Sequence, residues 1–290
     1  MEDVGNSLSP FLTNTFKITV PEYMPVGIVA TLVGFIYSGN IIFFNIKIIY
    51  AILSVIFIIA GYNTYNAIVD VEIDKINKPH RPLPKALLTI KEAKYITIFS
   101  FFLGLLLSLL INKIAFFIVL ITTIIAVLYS FGPINLKGKF IFGTLTATSL
   151  YTVAFPLIGW SVLQYNKIPI QIISYLFVFG LIVAILKDFE DIIGDSHYEA
   201  HTIISYLGYS KTIKLLLLLI LFGIILIISF VYFDFLNIYY LSLLIFSGLY
   251  ILNLYYLNIE KTTKRAKYAF IYSMIIMIIM EILLIFLKVL

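Results

Sequence analysis

Apolar residues run along this chain in stretches near 20 residues long, broken by short polar punctuation. Nine such stretches can be read, at about 21–39, 46–69, 93–111, 114–131, 140–163, 169–193, 211–232, 236–257 and 267–288. Each matches the roughly 30 Å hydrocarbon core of a bilayer when coiled as a helix. A helix satisfies its own backbone hydrogen bonds in lipid, and the Ile/Leu/Phe runs lack the alternation of a membrane barrel. The pattern predicts an all-α, polytopic membrane protein, with residues 1–290 read as a single transmembrane domain. Spans 1–4 and 5–8 form candidate parallel repeats, because spans 2 and 6 both end in acidic clusters.

Composition agrees. Only 12% of the 290 residues are charged and the mean hydropathy is +1.07, which excludes an ordinary soluble domain. The absence of cysteine excludes disulfides and thiolate metal sites. Residues Met1 to Pro10 are polar, with Glu2 and Asp3 and no basic stretch, so no cleaved signal peptide is expected. The pI near 9.1 is read as a record of topology and anionic lipid rather than of nucleic acid.

With nine spans, most of the 20 basic residues fall on the side of the N-terminus. Only Lys47, Lys113, Lys167 and Lys288 fall on the other. The basic side should be cytoplasmic. It also carries the longest connections, near 70–92 and 194–210, where functional residues are expected.

Two acidic motifs lie on that side. The first closes span 2 in the string NTYNAIVDVEIDKINKPHRPLP (63–84), where Asn63, Asn66, Asp70 and Asp74 are spaced 3, 4 and 4 apart. The second closes span 6 in KDFEDIIGD (187–195), where Asp188, Asp191 and Asp195 are spaced 3 and 4 apart and Glu190 falls off the stripe. Helical spacing puts each set on one face. Stacked carboxylates repel one another, and desolvation at a membrane boundary raises the cost. A hard divalent cation would offset it, and Mg²⁺ takes oxygen ligands and shares them with phosphates. Arg81, stiffened by Pro79, Pro82 and Pro84, is the first candidate to hold the anion, followed by Lys137, Lys139 and Lys187. Tyr62, Tyr65 and Tyr129 lie near the acidic ends, where an electron-rich ring can stabilise a cation. Glu281 sits inside span 9 without an obvious partner. His80, His197 and His201 are too scattered for a zinc site. No Walker loop, Ser-His-Asp order or dinucleotide fingerprint is visible.

The strings NAIVDVEIDKINKPHRPLP (66–84), LYSFGPINLKGK (128–139) and KDFEDIIGDSHYEAHT (187–202) resemble those of the UbiA superfamily of intramembrane prenyltransferases. The sequence departs from the family pattern at Ala67, where an Asp is usual, and at His201, where an Arg is common. The resemblance implies prenyl transfer from an isoprenyl diphosphate to a lipophilic acceptor at the cytoplasmic side of a cell membrane. Asn66, Asp70, Asp74, Asp188, Asp191 and Asp195 would hold Mg²⁺. Asp70, Asp74, Asp188 and Asp191 would be the catalytic acids, and the basic residues and Tyr62 and Tyr129 would meet the substrate. The strings are most similar to the archaeal ether-lipid branch, which moves geranylgeranyl onto the free hydroxyl of geranylgeranylglyceryl phosphate. The competing readings are an aromatic, quinone-precursor, chlorophyll or haem acceptor, a membrane transporter, and a non-catalytic lipid-binding protein.

Overall fold

A computed structural model describes the backbone of residues 4–39, 45–164, 166–197 and 202–289, and the side chains of these except 4–9 and 193–197. Among the described residues all regular structure is helical. The helices are α1 (Val4–Ile18), α2 (Met24–Ser38), α3 (Ile46–Val69), α4 (Val71–Asn77), α5 (Ile90–Leu109), α6 (Lys113–Ser130), α7 (Phe140–Ser149), α8 (Phe155–Trp160), α9 (Ile170–His197), α10 (Ile203–Leu207), α11 (Tyr209–Tyr232), α12 (Leu244–Glu260) and α13 (Thr263–Val289). Eight spans among the described residues are long and apolar enough to cross a bilayer. A bent pair, Pro10–Ile18 with Pro21–Ser38 at 46°, supplies the ninth. The chain is a multi-pass membrane protein, and the nine expected spans have these counterparts.

Three spans are less regular than their apolar runs suggest. The first is bent at Val20, whose φ of 53° is left-handed. The fifth is α7 joined to α8 through a π-helical segment, Leu150–Ala154. The eighth begins as a 3₁₀ turn, Ile238–Leu243, before α12. Hydropathy sees run length alone, so these breaks leave no trace in it.

Packing relies on small residues. A Cβ on Gly34 of α2 would lie 1.8 Å from the Pro156 carbonyl oxygen, and one on Gly159 of α8 would lie 1.8 Å from that of Thr31. The two glycines let α2 and α8 cross backbone to backbone, since apolar burial alone does not join helices in lipid. Ser54 Oγ adds an inter-helix bond, donating to the Gly104 carbonyl at 2.7 Å. At the end away from the acids, the Tyr37 hydroxyl meets that of Tyr240 at 2.7 Å and donates to the Leu284 carbonyl at 3.0 Å. Helix α9 is central, packing against α7, α10, α11, α13 and α4. The outer face of the bundle is apolar, with Phe99, Phe102, Leu218, Phe222 and Ile245 exposed to lipid.

The order of elements repeats. Helix α3 leads into the short α4 and then α5, and α9 leads into the short α10 and then α11. Each acidic motif therefore sits where a long span gives way to a short helix on the same side.

Candidate active site

The first motif does not ride on one continuous helix. Helix α3 stops at Val69, Asp70 adopts φ −92° and ψ 11°, and α4 restarts at Val71. The Asp74 N–H donates to the Asp70 carbonyl at 2.7 Å and the Lys78 N–H to the Asp74 carbonyl at 2.8 Å, so the helical spacing survives the break. Asn63 donates to the Thr19 carbonyl at 3.2 Å, which ties α3 to the bend in span 1. Ala67 is buried with Ile18, Leu83, Leu88 and Ala93. An apolar residue therefore suits this position, which packs a loop against α3.

The ends of α3, α4 and α9 converge on one cavity of about 360 Å³. Among the described residues its charged lining consists of Asp70, Asp74, Lys78, Arg81, Lys137, Lys187, Asp188 and Asp191. Asn66, Tyr62 and Tyr129 line it too. Asp70, Asp74 and Asp191 are 5%, 3% and 8% exposed. Carboxylates so far removed from water require partners, and each has one. Asp74 Oδ2 accepts from Arg81 Nη1 at 2.9 Å. Asp191 Oδ1 accepts from Lys78 Nζ at 2.5 Å, and its Oδ2 faces Lys187 Nζ at 3.7 Å. Asp70 accepts from Lys137 and from Asn66 Nδ2 at 2.8 Å. Ser130 Oγ donates to Asn66 Oδ1 at 3.1 Å and orients that amide.

Local structure explains how the cations arrive. Lys137 sits on a 3₁₀ turn, Leu136–Gly138, entered through left-handed Asn135, whose Oδ1 accepts from the Gly138 N–H at 3.3 Å. Burial depresses the Lys137 ammonium pKa, but the Asp70 carboxylate outweighs it and the net shift is upward. For Arg81 the same contest between burial and Asp74 also ends upward. For Lys78 burial wins over Asp191, and its pKa falls below the ordinary lysine value. Asn77 Nδ2 donates to the Asp191 carbonyl at 3.0 Å, so α4 is pinned to α9 beside the acids.

Away from the charges the cavity turns apolar. It passes Tyr23 and Val26 of the first span, Gly180, Val183 and Ala184 of α9, and Phe270, Met274 and Met277 of α13. Gly180 precedes Asp191 by 11 positions, so the cavity extends roughly 16 Å along α9 at 1.5 Å per residue. The rings of Tyr62 and Tyr129 lie 5.2 Å apart in the cavity wall.

Most residues singled out in the sequence meet here. Lys139 does not: it is exposed and absent from the cavity lining, because the turn that brings the partly buried Lys137 to the cavity leaves the residue two positions on facing outward. The side chain of Asp195, that of His197 and the whole of His201 lie outside the described residues. Lys78, Asn77, Tyr23 and Tyr151 line the cavity as well, beyond the site residues expected from the sequence. Lys78 and Asn77 continue the helical spacing of Asp70 and Asp74, which was the available signal. Tyr151 is carried into the cavity wall by the π-helical segment, a device enriched at functional sites that sequence periodicity does not reveal.

Carboxylate and amide oxygens are hard donors, so the donor set suits a hard divalent cation. Lysine and arginine groups already stand as cations against Asp70, Asp74 and Asp191. Among the described residues no three Asp, Glu or His side chains gather as a ready-made cage.

Comparison with known proteins gives the same picture. The chain is 31% identical over 253 residues to the digeranylgeranylglyceryl phosphate synthase of Sulfurisphaera tokodaii, covering 85% of this chain and 88% of that one. A solved structure of digeranylgeranylglyceryl phosphate synthase superposes with a TM-score of 0.70 at 27% identity, covering 96% of this chain and 98% of that one. A UbiA homolog from Archaeoglobus fulgidus, bound to GPP and Mg²⁺, has the same fold, with a TM-score of 0.73 at 18% identity over 94% of this chain and 99% of that one. The sequence pattern of the UbiA prenyltransferase family matches residues 27–279, and the chain belongs to that family.

Proposed function

We propose that this protein transfers a geranylgeranyl group from geranylgeranyl diphosphate to the free hydroxyl of geranylgeranylglyceryl phosphate, with Mg²⁺ as cofactor, on the cytoplasmic side of the membrane. The observation that carries the reading is the convergence of the α3–α4 and α9 acids, with four cations, at the mouth of an apolar cavity. The relatives named above support the choice of acceptor. The crowding of basic residues on that side supports the cytoplasmic placement. Residues 1–290 act as a single transmembrane prenyltransferase unit in this reading.

Asn66, Asp70, Asp74, Asp188, Asp191 and Asp195 hold the metal, and Arg81, Lys137 and Lys187 hold diphosphate oxygens. Mg²⁺, when bound, adds positive charge against the departing diphosphate. The apolar walls from Val26 to Met277 receive the prenyl chain and keep water from the reacting carbon. The carbon–oxygen bond to the diphosphate breaks, a carbon–oxygen bond to the acceptor hydroxyl forms, and the hydroxyl proton is released. Tyr62 and Tyr129 present ring faces where positive charge develops on the allylic carbon. No separate general base is required, since a developing allylic cation is attacked readily by an alcohol.

Labelled geranylgeranyl diphosphate, incubated with purified protein and a panel of acceptors, tests the assignment. The expected product is the diether phosphate from geranylgeranylglyceryl phosphate. Transfer to an aromatic quinone precursor in its place would move the protein to another branch of the family.

A further inference from the structure

The cavity carries as many cations as carboxylates among the described residues. Three of the acids are engaged in close pairs, with Lys78, Arg81 and Lys137. The Lys78–Asp191 pair is largely hidden from solvent on both sides, with each side chain 12% exposed. A divalent cation entering this balanced, poorly solvated site must first displace an ammonium group from its oxygen. It would then leave the cavity strongly positive, a state that low dielectric penalises heavily. A diphosphate entering alone would meet carboxylates at close range. Arriving together, metal and diphosphate restore the balance, because the displaced ammonium groups gain phosphate oxygens in place of carboxylate ones.

We infer that Lys78 and Lys137 are exchangeable counter-ions: they occupy the acids in the metal-free protein and pass to the diphosphate when metal takes their place. Metal and diphosphate therefore bind as one coupled event. This assigns Lys78 a substrate-binding role and rests on the functional reading above. The flexible four-carbon stem of lysine suits the exchange, since the head group can change partner while its backbone stays. Lys78 is anchored for this by its own N–H on Asp74 and by Asn77 on α9.

The test measures Mn²⁺ binding to the full-length protein in nanodiscs by electron paramagnetic resonance, with and without inorganic pyrophosphate, after subtracting the protein-free titration. The wild type should bind Mn²⁺ at least tenfold more tightly with pyrophosphate present. Lys78→Met and Lys137→Met should each bind Mn²⁺ alone at least tenfold more tightly than wild type and gain less from pyrophosphate. Lys78→Arg, which keeps the charge, should retain the wild-type Mn²⁺ affinity. The inference is overturned by a wild type indifferent to pyrophosphate, or by folded lysine-to-methionine variants with unchanged Mn²⁺ affinity. A wild type that transfers prenyl groups but binds metal and pyrophosphate independently overturns this inference and leaves the functional reading intact. Coupled binding without any prenyl transfer supports the inference and overturns the reading.

Discussion

Lys78 and Asp191 are 113 positions apart in the chain and meet at 2.5 Å. One residue closes the first acidic motif and the other lies at the heart of the second, so their contact measures how closely the two motifs approach. Asn77 beside it reaches the backbone of the same aspartate. Truncating one partner of a buried pair is costly because it strands the other charge. Here Lys187 still faces Asp191 at 3.7 Å, which reduces the loss. A double-mutant cycle with Lys78→Met and Asp191→Leu, read by unfolding in detergent without metal, should give a coupling of about 1–3 kcal/mol. A coupling near zero would show that the contact does not hold the motifs together.

The apolar arm of the cavity should set which prenyl chain is accepted. A Cβ on Gly180 would lie 2.5 Å from Thr152 Cγ2 and 3.0 Å from Thr148 Cγ2. Gly180→Val therefore pushes these threonines into the arm, and Ala184→Phe fills it directly. Both variants should lose geranylgeranyl transfer by at least tenfold while retaining transfer from a shorter geranyl donor. Equal losses with both donors, measured as product formed per unit time, would place the chain elsewhere.

Glu281 is fully buried on α13, and neither carboxylate oxygen has a hydrogen-bond partner. An unsatisfied buried polar group destabilises, and an apolar residue of similar volume relieves the cost. Glu281→Met should leave prenyl transfer within about threefold of wild type and hold or raise the unfolding temperature in detergent. A drop of several degrees with lost activity would give Glu281 a role not visible in its contacts.

His80 reports the charge of the loop before Arg81. Burial lowers its pKa first, and Lys267, Arg81, Lys78 and Lys85 lower it further. The unfolded chain then takes up a proton at higher pH than the folded one, so folding weakens slightly as pH falls from the ordinary histidine value toward the depressed one. The imidazole signals should titrate with a midpoint below 6.5, and Lys267→Gln should raise it. A midpoint at or above the free value would contradict the basic surroundings.

The sequence carried the spans and most of the site for physical reasons. A run such as Leu215–Ile228, inside a helix of 24 residues, reads as a membrane span, and the 3–4 spacing of Asp188, Asp191 and Asp195 needs no tertiary information to define a face. What it hid depends on packing between distant segments. At the break at Asp70 the chain turns into α4, which docks on α9, while Asn66, Asp70 and Asp74 alone read as one continuous stripe. Lys137 and Lys139 are two residues apart and chemically alike. The left-handed turn at Asn135 makes one a site residue and leaves the other in solvent. Val20 adopts its left-handed backbone although a β-branched residue disfavours it, so no local preference announces the bend in the first span.

The central claim is that the acids of both motifs grip one metal-bound diphosphate. It is tested most directly by Mg²⁺-dependent release of pyrophosphate from geranylgeranyl diphosphate in the presence of acceptor, with Asp70→Asn and Asp191→Asn compared with wild type. Each change keeps side-chain size and removes one carboxylate, and each should reduce the rate by at least 100-fold in protein that elutes and unfolds as wild type does. Wild-type rates in either variant would contradict the claim.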